Sequence, residues 1–247
     1  MIDITPPILG MIALACLLTG LSKGGLGGTL GALITPLLAL VMPLSLAIGL
    51  ILPILMVGDV FAVAAHWKRW EWRVVWVLLA GALVGVGLGT VFIAGVSPQV
   101  LRRTLGALVL LFAIYRLLET RLKKDLHSQP PGWVGILAGA VAGFTSTIAS
   151  AGGPPVAVYL LMLNMAPTTF VATTALFFTI LNWIKVPYYL SAGILKLDLS
   201  LQLAWLLPLV PLGVWAGKRL VTHINRLIFE RLVLALLLIS AFLLLFR

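Results

Sequence analysis

Apolar residues in this chain run in blocks rather than alternating. Stretches almost free of charge cover about 4–22, 26–42, 45–65, 74–96 and 100–118, and then 133–150, 154–164, 168–190, 200–217 and 228–246. The polar intervals between them are short. Blocks of this kind predict helices that cross a bilayer, whose hydrocarbon core takes about 20 helical residues. The second block of each set of five is short, and at about 1.5 Å per residue the run 154–164 covers only about 17 Å. Residues 133–164 therefore cross twice, or form a hairpin that enters and leaves on one face.

Two of the intervals are rich in glycine: Ser22-Lys23-Gly24-Gly25-Leu26-Gly27-Gly28-Thr29, and Ser150-Ala151-Gly152-Gly153-Pro154-Pro155. Glycine-rich backbone inside a lipid-like segment leaves N–H and C=O groups without helical partners. Hydrocarbon cannot satisfy them, so such breaks occur where protein or a water-filled cavity surrounds them. In transporters built from repeats, paired breaks mark the substrate site, because a helix N-terminus offers N–H donors and a positive dipole end to an anion.

The halves of the chain are related. One offset lays Gly213 on Gly85, Val214 on Val86, Gly217 on Gly89, Arg231 on Arg103 and Gly152-Gly153 on Gly24-Gly25. This predicts an internal duplication, with a first repeat at 1–118, a basic linker at 119–132 and a second repeat at 133–247. His66-Trp67-Lys68-Arg69 and the linker's Arg121, Lys123 and Lys124 are two spans apart and share a side, which the positive-inside rule makes cytoplasmic. Placing Lys218, Arg219, Arg226 and Arg231 on that side as well gives each half an odd number of crossings, so the repeats are inverted. Arg102 and Arg103 then fall on the outer side.

Composition agrees. Of 247 residues, 62% are hydrophobic and 10% charged, and the mean hydropathy is +1.16, which no water-soluble core of this size would hide. The net charge of +10 comes from basic residues at the ends of apolar runs, which reads as anchoring to anionic lipid rather than nucleic-acid binding. Cys16 is the only cysteine, so no disulfide or cysteine metal site forms within one chain. The N-terminus lacks a positive n-region and a cleavage site, so the first block is expected to be a retained span. No catalytic or metal-binding motif is present, no cofactor is expected, and the chain is not read as an enzyme.

The remaining candidates are polar groups inside apolar runs. Lys23 beside Gly24-Gly25 is costly at bilayer depth unless a cavity or counter-ion relieves it. At mid-depth it would form an anion nest with the N–H groups of Gly27, Gly28 and Thr29; at the surface it is an ordinary anchor. Thr145, Ser146, Thr147 and Ser150 precede the second break, where their hydroxyls either meet oxyanion oxygens or bond back to their own helix. Gly152, Gly153 and Pro154 then read as a helix start. Asp59 lies well inside the third run as a proton carrier, a counter-ion to a lysine or half of a structural pair. Asn182 and Lys185 sit in the corresponding run of the other half, with a pair between Asp59 and Lys185 in reach. His66 belongs with Trp67, Trp70 and Trp72 to an interfacial belt, and His127 and His223 lie in hydrophilic linkers.

The broken segment Gly20-Leu21-Ser22-Lys23-Gly24-Gly25-Leu26-Gly27-Gly28 followed by Thr35-Pro36-Leu37-Leu38, its weaker copy at Gly152-Gly153-Pro154-Pro155, and the duplicated halves resemble the sulfite exporter TauE/SafE family of membrane permeases. The resemblance implies secondary transport of sulfite, sulfonates or other small sulfur-containing anions across a bacterial cytoplasmic (inner) membrane. The expectation is an all-α, multi-pass protein of two inverted repeats of four to five segments, each opening with a broken or re-entrant pair. Substrate would be held by Ser22, Lys23, Gly24, Gly25, Gly27, Gly28, Thr29, Thr145, Ser146, Ser150, Gly152, Gly153, Pro154, Asn182 and Lys185, with Asp59 as the proton-coupling group. The partners are the anion and the bilayer, and a homo-oligomer is left open. A passive anion channel and a non-transporting membrane subunit are the rival readings.

Overall fold

The computed structural model describes residues 5–26, 29–125, 130–220 and 226–246. Every element among them is helical: α1 (Pro6–Leu21), a π-helical turn (Ser22–Leu26), α2 (Thr29–Ala39), α3 (Leu44–Ala65), α4 (Trp72–Gly95), α5 (Pro98–Asp125), α6 (Gly132–Ala149), α7 (Gly153–Met162), α8 (Pro167–Ser191), α9 (Leu197–Gln202), a 3-10 turn (Ala204–Leu206), α10 (Leu209–Leu220) and α11 (Arg226–Phe246). Five segments are long and apolar enough to cross a membrane: Pro6–Gly24, α3, α4, α6 and α8. Large apolar side chains also cover the outside of the bundle, Leu88, Val91, Leu111, Trp183, Leu201 and Phe242 among them. Such a surface is stable only against lipid. The protein is a multi-pass membrane protein.

Neighbouring contacts fix the direction of each helix. Ile12 and Cys16 of α1 lie beside Leu50 and Ile54 of α3, and Thr19 and Lys23 lie beside Gly58, so α1 and α3 run parallel. α2 packs between them with Ile34 and Leu38 in the same apolar cluster and returns towards the start of α3. Likewise the Glu71 N–H donates to Thr173 Oγ1 and Gly87 faces Tyr188, so α4 and α8 run parallel. α6 follows α4, with Gly81, Gly85 and Gly89 facing Ile136, Ala140 and Thr147 in turn. α7 folds back along α6, Gly152 lying against Ala142 while Tyr159 lies against Gly135. α3 and α8 are antiparallel, because Asp59 meets Asn182 while Gly49 meets Ile194.

Two hairpins, α1–α2 and α6–α7, therefore enter the bundle from opposite faces, and each returns to the face it came from. The tip of the second touches α2 of the first, Thr35 Oγ1 donating to Ser150 Oγ at 3.2 Å. The 133–164 region is accordingly a hairpin of an 18-residue and a 10-residue helix. The face on which α4, α6 and α8 begin also carries the His66–Arg69 turn and the end of α10 with Lys218 and Arg219. It is the basic face the sequence grouped together.

Two expectations change. The apolar run 200–217 is not one helix but α9, a 3-10 turn and α10. α9 leaves α conformation at Leu203 (φ −97°, ψ 1°), and Pro208, which has no N–H to donate back along the helix, separates the 3-10 turn from α10. The polar stretch from 119 is not all linker, since α5 continues to Asp125.

The tightest packing crosses between the sequence halves. A β-carbon on Gly81 or Gly85 of α4 would collide with the carbonyl oxygens of Ile136 or Ala140 on α6, and one on Gly139 with that of Leu78. The same holds for Gly20 and Gly24 against Val210 and Val214 of α10. Small residues let helix backbones approach where lipid offers no hydrophobic drive for association.

Candidate functional site

Where the two hairpin tips meet the antiparallel pair α3 and α8, polar side chains form a continuous chain across the bundle. α1 ends in a π-helical turn rather than a further α turn. Such a single widened turn often re-aims a side chain at a functional site. Gly24 in that turn is buried against the Val214 carbonyl, where no side chain fits, and this holds the neighbouring Lys23 in place. Lys23 Nζ donates to Asp59 Oδ1 at 2.6 Å, with Lys23 22% exposed and Asp59 fully buried.

Asp59 is held from its other side by α8. Asn182 Nδ2 donates to Asp59 Oδ2 at 2.7 Å, and Asn182 Oδ1 accepts from Lys185 Nζ at 3.2 Å. One carboxamide thus faces a carboxylate with its donor and an ammonium with its acceptor. Asn182 and Lys185 lie one helical turn apart on one face of α8, the spacing at which side chains are neighbours. Lys185 Nζ makes two further bonds to the second hairpin, to Ser146 O at 3.1 Å and Ser146 Oγ at 2.7 Å. Its three donors are matched by three acceptors, none of them charged. Lys185 is 1% exposed and Asn182 3%.

The second tip closes the arrangement. Ser150 ends α6 in the left-handed conformation (φ 53°, ψ 24°), and its N–H donates back to Ser146 O and Thr145 O. Its hydroxyl takes the bond from Thr35 of the first hairpin. Tyr189, one turn beyond Lys185, donates to the Thr147 carbonyl at 2.7 Å and fixes the end of α6 against α8.

The structure therefore brings together Lys23, Asp59, Asn182, Lys185, Ser146 and Ser150. Lys185 is not the direct counter-ion of Asp59; Lys23 is, and Asn182 stands between the other two. Gly152, at the N-cap of α7, packs on Ala142 O and the β-carbon of Ser146, whereas Gly153 has open space beside it and Pro154 follows at the helix start. The Thr145 hydroxyl bonds back to Val141 O at 2.8 Å, and that of Thr147 to Gly143 O at 2.8 Å. Ser22 is half-buried at the start of the π turn, and Gly25 and Thr29 are placed by their backbone in that turn and at the start of α2. Gly27 and Gly28 lie outside the described residues, as do His127 and His223.

Sequence reasoning missed Thr35 and Tyr189 as parts of the site. Thr35 carried a signal, a hydroxyl directly before Pro36 inside an apolar run. Tyr189 carried none that separates it from Tyr188. Among the described residues no group of three or more His, Cys, Asp or Glu side chains is placed to hold a metal ion.

Chemically, the chain Lys23–Asp59–Asn182–Lys185–Ser146 puts two ammonium-bearing side chains and one carboxylate in the bundle interior. With all three ionised the sum is one positive charge. A charge excess in a low-dielectric interior calls for an anion.

A family model described as sulfite exporter TauE/SafE matches residues 12–244, nearly the whole chain. No curated protein and no solved structure gives a significant match.

Proposed function

As the chain belongs to the sulfite exporter TauE/SafE family, we propose that it is a secondary transporter moving a small sulfur-containing anion such as sulfite, thiosulfate or an organosulfonate across a bacterial inner membrane. The observation that carries this reading is the buried chain from Lys23 to Ser146, which joins both hairpin tips and sets two lysine side chains against one carboxylate. An anion entering between Lys23, Asn182, Lys185 and the Ser146 and Ser150 hydroxyls would meet donors and a favourable field. The same field rejects cations.

Alternating access is supported by the opposed entry of the two hairpins. A duplication with inverted repeats accounts for it, together with the matching roles of α4 on α6 and α10 on α1. Movement of one tip and its cross-packed helix away from the α3–α8 pair would open the site to one face; movement of the other would open it to the opposite face. Asp59 is the proton-coupling group in this reading, being the carboxylate bonded to both sides of the network. The other readings are a passive anion channel, which needs the same donors without alternation, and a non-transporting subunit.

The test is uptake of labelled sulfite, thiosulfate, sulfate and a short sulfonate into proteoliposomes at several pH gradients, beside Lys23→Ala and Asp59→Asn. Saturable, gradient-driven accumulation that is lost in both variants is the expected result. Unsaturable flux without accumulation would make the protein a channel. If none of the anions moves through folded, inserted protein, the transporter reading is overturned.

A further inference from the structure

Asp59 sits where the first hairpin and α8 converge. Its two carboxylate oxygens are divided between Lys23, at 2.6 Å, and Asn182, at 2.7 Å, a cation from the first hairpin and an amide donor from α8. These are the partners that two oxygens of a sulfur oxyanion would seek; Asp59 and Asn182 are buried, while Lys23 is 22% exposed. Lys185 stands behind Asn182 with its three donors on neutral acceptors. Two anions in this space, Asp59 and a bound dianion, would face two lysines with a net charge of minus one. With Asp59 protonated, the two lysines and a dianion balance.

We propose that Asp59 is a tethered stand-in for substrate: a dianionic oxyanion displaces its carboxylate from Lys23 and Asn182 only as Asp59 takes up one proton from water, so one proton travels with each dianion. This rests on the transporter reading and adds to it the charge class of the substrate and the stoichiometry of coupling. When the anion leaves, Asp59 returns its proton to water and closes again on Lys23 and Asn182, so the empty site is neither an open cation nor an open leak. A monoanion such as a short sulfonate gains less from the same seat, because with Asp59 protonated it leaves one lysine charge unmatched.

Outside the network of Lys23, Asp59 and Lys185, other groups are poorly placed to exchange the proton. On the elements packed against α3, the charged side chains besides Lys23 and Lys185 are Arg102, Arg103 and Arg116 and the charged end of α5, Asp198 on α9, and Lys218 and Arg219 on α10. All lie at partly or fully exposed positions or beyond the described side chains. The uncharged titratable groups on these elements are Cys16 on α1, Tyr115 on α5, and Tyr188 and Tyr189 on α8. Cys16 is buried in the apolar cluster, and Tyr189 is committed to the Thr147 carbonyl. α2 and α6 bring no titratable side chain.

The experiment is titration calorimetry of the purified full-length protein with thiosulfate, which stays a dianion across neutral pH, in buffers of different ionisation enthalpy. The bound state holds one more proton than the free state, so affinity falls as pH rises, by about tenfold per pH unit where Asp59 is ionised in the free protein. Buffer dependence should report one proton taken up per anion. Asp59→Asn, a neutral mimic of the protonated residue, should bind thiosulfate more tightly at neutral pH, with no proton uptake and no pH slope, and Lys23→Met should lose binding. Thiosulfate binding to the unmodified chain without proton uptake overturns the proposal whatever the variants do, and so does an unchanged pH slope in Asp59→Asn. In either case uptake in proteoliposomes would still stand as evidence for a transporter. Failure of every tested anion to bind or move would remove the transporter reading and this proposal together.

Discussion

Replacing Asn182 by leucine should be among the most damaging single substitutions in the bundle, and adding a second substitution should repair part of the damage. The amide donates to Asp59 at 2.7 Å and accepts from Lys185 at 3.2 Å. Hydrogen bonds to charge-bearing groups contribute about 1.5–3 kcal/mol each. Leucine fills a similar volume but leaves Asp59 Oδ2 and one Lys185 donor facing apolar atoms at sites no more than 3% exposed. The expected cost is about 3–5 kcal/mol, the range for breaking a buried charged arrangement from one side. Adding Lys185→Met to Asn182→Leu removes the stranded ammonium as well, and leaves Asp59 paired with Lys23 alone. Replacing a buried polar group together with its partner by apolar residues is often neutral or stabilising, so the double variant should be more stable than Asn182→Leu by about 1–3 kcal/mol. Equilibrium unfolding in mixed micelles, followed by loss of helix as denaturing detergent rises, measures both numbers. If Asn182→Leu costs less than about 0.5 kcal/mol, or if the two substitutions simply add, the amide does not bridge Asp59 and Lys185.

Two further outcomes follow from the packing and the topology. Gly85→Ala drives a β-carbon into the Ala140 carbonyl and should cost about 1–3 kcal/mol in the same unfolding assay. Gly10→Ala, with no atom within 4 Å of the added carbon, should be neutral or gain up to about 1 kcal/mol from helix propensity; equal stabilities would refute the close crossing of α4 and α6. In sealed vesicles, single cysteines at Lys68 and Lys218 in a Cys16→Ala background should be labelled by an impermeant reagent from one side, and one at Lys196 from the other; labelling of all three from one side would overturn these helix directions.

The sequence announced the membrane and the breaks plainly, because long apolar runs and glycine clusters are local signals. The shared offset of Gly85 with Gly213 and Gly89 with Gly217 marked the residues that make the cross-packed contacts, although nothing in it said that α4 would seek α6 and α10 would seek α1. Lys23, Asp59, Asn182 and Lys185 were each visible as polar groups out of place. Their order was not, since which lysine meets Asp59 depends on how deep the first hairpin reaches. That depth is set by Gly24 resting on Val214 at the other end of the chain. Thr145 and Ser146 are adjacent hydroxyls with the same sequence context, and only the helix phase sends one to Val141 O and the other to Lys185. The interruption near Pro208 was in plain view but was hidden by the apolar residues on both sides of it.

The contact of α1 with α10 also bears on how the protein is made. The N-terminal hairpin is among the first parts of the chain to reach the translocon, yet the carbonyls of Val210 and Val214 against which Gly20 and Gly24 rest are among the last. Until α10 is made, Gly20 and Gly24 lack the backbone they rest on, while Asp59 on α3 is already available to Lys23. The ion pair and the apolar packing on α3 can therefore form before the glycine contact, which completes the seat of the hairpin only when α10 is in place. A nascent chain stopped before Leu209 should hold its first hairpin by the Lys23–Asp59 pair and by the apolar packing of α1 and α2 on α3, and should lack only the backbone contact of Gly20 and Gly24 with α10.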